Sequence, residues 1–131
     1  MRDDHSAPER RPAGVDDATV DALSKLADAM ETVERARGHL YTFHQLTGRA
    51  HRQLAEATEL LRRAGHDEQA DACAAMSGAA VFADMWTYEV VEEYDDGYHR
   101  RFTELEERVR DDLVEGRRHI AEAEQKRRLH G

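Results

Sequence analysis

The sequence predicts an all-α protein: a long, coiled-coil-like antiparallel helical hairpin with a short helical elbow, pairing into a four-helix dimer. Three observations lead there. Apolar residues recur every three or four positions along two long stretches, the rhythm of helices that share a seam. The 131 residues are 36% charged and 40% hydrophobic, too polar for a thick core and suited to long exposed helices. Both of the 2 prolines, Pro8 and Pro12, precede the periodic region, so no proline interrupts it.

Residues 1–15 are polar and read as a disordered N-terminal arm. Residues 16–131 then read as one helical domain. Asp16 or Asp17 can cap the first helix, expected over about 16–64 and roughly 70 Å long at about 1.5 Å per residue. Its stripe is Val20, Leu23, Ala27, Met30, Val33, Ala36, Leu40, Phe43, Thr47, Ala50, Leu54, Ala57, Leu61 and Ala64. Gly65 stands where a helix-ending glycine belongs. A short elbow helix is expected over about 68–76, with Asp67 as its cap. The last long helix is expected over about 80–128, along Val91, Tyr94, Tyr98, Phe102, Leu105, Val109, Leu113, Gly116, Ile120 and Ala123.

Charge favours folding the two rods back on each other. Arg35, Arg37, Arg49, Arg52, Arg62 and Arg63 dominate the far half of the first rod. Asp84, Glu89, Glu92, Glu93, Asp95, Asp96, Glu104, Glu106 and Glu107 dominate the near half of the last. In a hairpin turning near residue 72 these blocks face each other, which helps set register. Phe82, Trp86 and Glu89 lie on a different helical face from Val91 and Tyr94, leaving apolar surface for a second copy of the chain.

The net charge of −9 disfavours nucleic acid, whose phosphates need clustered positive charge. No run of about 18 apolar residues offers a membrane span. The N-terminus lacks the apolar core of a secretory signal. The single cysteine, Cys73, cannot form an internal disulfide, and a cytoplasmic location is expected. Cys73 lies among alanines, the setting of a packed thiol. No Glu-x-x-His pair, His-Glu-x-x-His motif or Gly-rich phosphate loop occurs, so no cofactor is expected.

One weaker constellation survives. His44 and His51 are seven residues apart on one face, and the expected register brings them level with Glu93, Asp96 and His99. These are the candidate metal ligands, with hydrogen bonding at the flank of a packed seam as the plainer reading. The aromatic and acidic residues around Trp86, Tyr88, Tyr94 and Tyr98 form a candidate small-ligand patch, with packing as the plainer reading.

The stretches Ala36–Gly48 and Met85–Asp96 resemble segments of a family of small, uncharacterised bacterial helical proteins. The resemblance covers about residues 30–100 and implies no catalytic role. It singles out Tyr41, His44, Trp86, Glu89 and Glu93 as a candidate functional surface. The function expected is a non-enzymatic structural or interaction module, self-associating or binding a protein partner. The alternative is a helical bundle that binds a metal or small ligand at the His, carboxylate and aromatic cluster.

Overall fold

The computed structural model describes residues 10–130 and is all-helical, with no strand among the described residues. Five α-helices run in the order α1 (Asp17–Arg63), α2 (Asp67–Met76), α3 (Thr87–Tyr94), α4 (Arg100–Val114) and α5 (Ile120–His130). A π-helical turn, Asp95–His99, joins α3 to α4. Among the described residues no helix is long and apolar enough to cross a membrane.

Helix α1 begins and ends where its capping chemistry lies. The Asp16 carboxylate accepts the Thr19 N–H at 2.9 Å, and hydrogen bonding from Thr19 holds that carboxyl below its usual pKa. At the other end the His66 N–H reaches the Leu61 carbonyl at 2.8 Å, and the Gly65 N–H reaches that of Arg62 at 3.0 Å. This Schellman closure needs a left-handed residue, and Gly65 supplies it at φ +85°. Helix α2 starts two residues later. Its Ala70 is fully buried, and Asp71 pairs with Arg62 of α1 at 2.9 Å.

The last rod departs from the continuous helix expected over 80–128. It starts at Thr87, because Asp84 is left-handed (φ +58°) and Trp86 is extended. It also stops at Val114, where Glu115, Gly116 and His119 all take positive φ before α5 begins. At Gly116 a Cβ would stand 2.7 Å from Asp111 Oδ1, so the break needs glycine there. The apolar stripe hid this break because Gly116 and Ile120 fall in phase with it.

The π-helical turn has a wider effect. It holds one residue more than an α-helical turn, so the inward positions of α4 fall one residue later in the sequence than the predicted stripe. Before it, Val91 is buried and Tyr94 half-buried, as expected. After it, His99, Thr103, Glu106, Arg110 and Val114 point inward, one residue later than the predicted rungs. Tyr98, Leu105 and Leu113 are left 50%, 43% and 48% exposed.

By their contacts the described residues group into two compact units. The first gathers the chain up to Arg35 with Tyr98 onward, and the second is Ala36–Gly97. In the first unit Val20, Val114 and Ile120 form the buried core, backed by Val15, Leu23 and Ala121. Here residues 10–15 are not the free arm expected. Arg11 grips the Glu124 carboxylate with Nε at 3.0 Å and Nη2 at 2.9 Å, and reaches Asp17 at 2.7 Å. The first nine residues of that arm lie outside the described residues. In the second unit α3 lies along the far half of α1 with opposite direction. The sequence separation of contacting pairs falls from 58 at Arg37–Asp95 to 43 at His44–Thr87.

Candidate functional site

The far half of α1 turns a polar edge toward α3. Three successive three-residue steps, Ala27 to Met30 to Val33 to Ala36, lag behind the 3.6-residue helical turn. By Arg37 the inward face has moved on by one residue. Arg37, Tyr41 and His44 are therefore half-buried, whereas Ala36 and Phe43 face outward.

Arg37, Tyr41 and Asp95 form a closed polar cluster. Arg37 Nε donates to Asp95 Oδ1 at 2.8 Å, and its Nη2 donates to the Tyr41 hydroxyl at 3.2 Å. The Tyr41 hydroxyl in turn donates to Asp95 Oδ2. The guanidinium also stands 5.2 Å from the Tyr41 ring centroid, in cation–π range. The Asp95 carboxylate accepts the phenol proton and holds it there, and burial adds to this, so the Tyr41 pKa lies above its usual value. The same carboxylate pushes the Arg37 pKa further up.

Two more contacts complete the edge. His44 Nδ1 is hydrogen-bonded to the Thr87 hydroxyl at 2.7 Å, and Thr87 is buried at the first position of α3. Glu89 folds back so that its Oε1 accepts the Trp86 backbone N–H at 3.2 Å, while its own N–H donates to the Trp86 carbonyl at 3.0 Å. This fixes the start of α3 without help from the indole side chain.

The candidate surface divides accordingly. Tyr41 and His44 are fastened to α3, Glu89 caps it, and Trp86 and Glu93 remain exposed. Phe43 and Phe82 meet with ring centroids 6.2 Å apart, and both are exposed together with Leu46.

The proposed cluster of His44, His51, Glu93, Asp96 and His99 is not assembled. His44 takes Thr87, His99 takes Glu34 of its own unit, and His51, Glu93 and Asp96 are exposed. Among the described residues no three His, Cys, Asp or Glu side chains stand together as a metal site. The error was one of register. A turn near residue 72 sets His44 level with position 101, but the observed partners reverse around Gly65 and His66. That glycine was visible as a helix stop. Counting outward from Gly65 brings Arg37 within two residues of Asp95, a pair the charge blocks contained and the register concealed. Thr87 carried no signal of its own.

No family model, curated protein or solved structure matches this chain, so its functional reading rests on its own residues.

Proposed function

We propose that this chain is a non-enzymatic helical interaction module of the cytoplasm. It folds as an antiparallel, coiled-coil-like hairpin, associates with a second copy into a four-helix dimer, and presents an aromatic patch to a protein partner. The observation that carries this reading is the inversion of the second unit. Arg37, Tyr41 and Asp95 bond to one another and His44 to Thr87 along the inner edge, while Phe43, Leu46, Phe82 and Trp86 face solvent. Contiguous exposed apolar surface of this kind marks association sites. Tryptophan and other aromatics are enriched where binding energy concentrates. The inner cluster supports a fastening role, since Arg37, Tyr41 and Asp95 hydrogen-bond to one another across it.

The test is size. Light scattering behind gel filtration is expected to give twice the mass of one chain at micromolar concentration. A one-chain mass throughout that range overturns the reading.

A further inference from the structure

We propose that the first unit binds a small carboxylate bearing a short apolar chain, and that Arg110 grips its carboxylate group. A cavity of about 100 Å³ is lined by α1, α4 and the start of α5. Val20, Leu23 and Ala27 of α1 and Ile120 of α5 give it an apolar side, and Arg110 and Glu106 of α4 give it a polar one. Drug-sized ligands fill about 300–1,000 Å³, so this volume suits a molecule of only a few heavy atoms. Arg117, Arg118 and His119 also line it, with Glu122. Its walls therefore carry three arginines against two glutamates, in a chain whose net charge is −9.

The Arg110 side chain is 15% exposed, and Nη1 donates to the two Glu106 carboxylate oxygens at 2.9 and 3.1 Å. Among the described residues, its buried Nε has no hydrogen-bond partner. Nε and Nη2 of an arginine lie side by side, at the spacing of two carboxylate oxygens. Two other arginines of this chain use that edge in this way. Arg11 holds Glu124 through Nε and Nη2 at 3.0 and 2.9 Å. Arg37 holds Asp95 through the same two nitrogens at 2.8 and 3.4 Å. On Arg110 the corresponding edge is not used by Glu106, which takes Nη1 instead. A buried N–H without an acceptor is costly, and a carboxylate entering the cavity supplies that acceptor. The apolar side then covers the short chain of the same molecule. The site uses residues of the first unit only, so its test is independent of the mass of the chain in solution.

The experiment follows the Arg110 Nε–H signal in proton–nitrogen NMR spectra of the full chain, identified by its loss in Arg110→Lys. Sodium butyrate is the probe, with butan-1-ol and sodium chloride as controls. Butyrate is expected to move the signal saturably, with a midpoint of about 1 mM, and the controls to leave it in place. Butyrate is also expected to raise the thermal midpoint of the wild-type chain but not that of Arg110→Lys, which keeps the charge and loses the paired donors. Ala27→Leu fills the apolar side and leaves Arg110 in place. It is expected to retain the Nε–H signal and to weaken butyrate binding by about tenfold or more. Circular dichroism checks that both variants keep their helix content. A signal that butyrate does not move, or that butan-1-ol or sodium chloride moves equally, overturns the proposal. Undiminished binding in both variants overturns it as well.

Discussion

The two units are fastened by opposite means. The first closes on apolar side chains, Val20, Val114 and Ile120, and carries the Arg110–Glu106 pair on the inward side of α4 as well as Arg11–Glu124. The second has a single buried valine, Val91, and buried Ala70, and joins α1 to α3 through Arg37, Tyr41, Asp95, His44 and Thr87. Apolar contact is non-directional and tolerates sliding, whereas hydrogen-bonded pairs hold only in one register. The contrast teaches that a thin two-helix contact can be positioned by polar groups and still leave its aromatic residues free for another surface.

That contrast can be broken by substitution. The largest effect is expected at Val114, only 1% exposed, where Val114→Ala should lower stability by about 2 kcal/mol in urea unfolding through lost burial and a residual cavity. Gly116→Ala should cost about 1–2 kcal/mol, since φ is +72° and the new Cβ meets Asp111 Oδ1. Asp95→Asn should cost about 1 kcal/mol, because the charge-assisted bond from Arg37 is lost at a partly solvated position. A greater loss at Asp95 than at Val114 reverses the comparison.

The comparison is sharpened by two quieter measurements. Deleting Gly97 removes the additional residue of the π-helical turn, so a thiol at Leu105→Cys, in Cys73→Ala, should react more slowly with a maleimide as it turns inward. An unchanged rate counts against the rotation. The smallest effect is the titration of Tyr41. A tyrosine whose folded pKa is raised contributes its stabilisation below its unfolded value of 10.0, and that contribution is lost as pH rises through the folded value. Absorbance at alkaline pH should therefore show Tyr41 ionising above its usual value, and Asp95→Asn should lower that value.

Much of this architecture was legible in the sequence, and the failures share a cause. Asp16 and Gly65 marked the ends of α1 because capping is local chemistry, whereas Asp67, expected as the cap of α2, is its first helical residue and His66 takes the cap position. The helical class followed from periodicity. What periodicity does not reveal is phase. Three short steps before Ala36 moved the inner edge to Arg37 and His44, and the π-helical turn moved the edge of α4 to Glu106 and Arg110. His44 was expected level with residue 101 and instead meets Thr87, and Asp95 was expected near the histidines and instead meets Arg37 and Tyr41, because contact partners depend on where the chain reverses. The break at 115–119 was missed because a glycine in phase with the stripe was counted as a rung.

The five residues from Asp95 to His99 thus act as an angular setting for the fifteen that follow. A codon gained or lost within this turn would shift by one residue which positions of α4 face inward, with the helix's own residues unchanged.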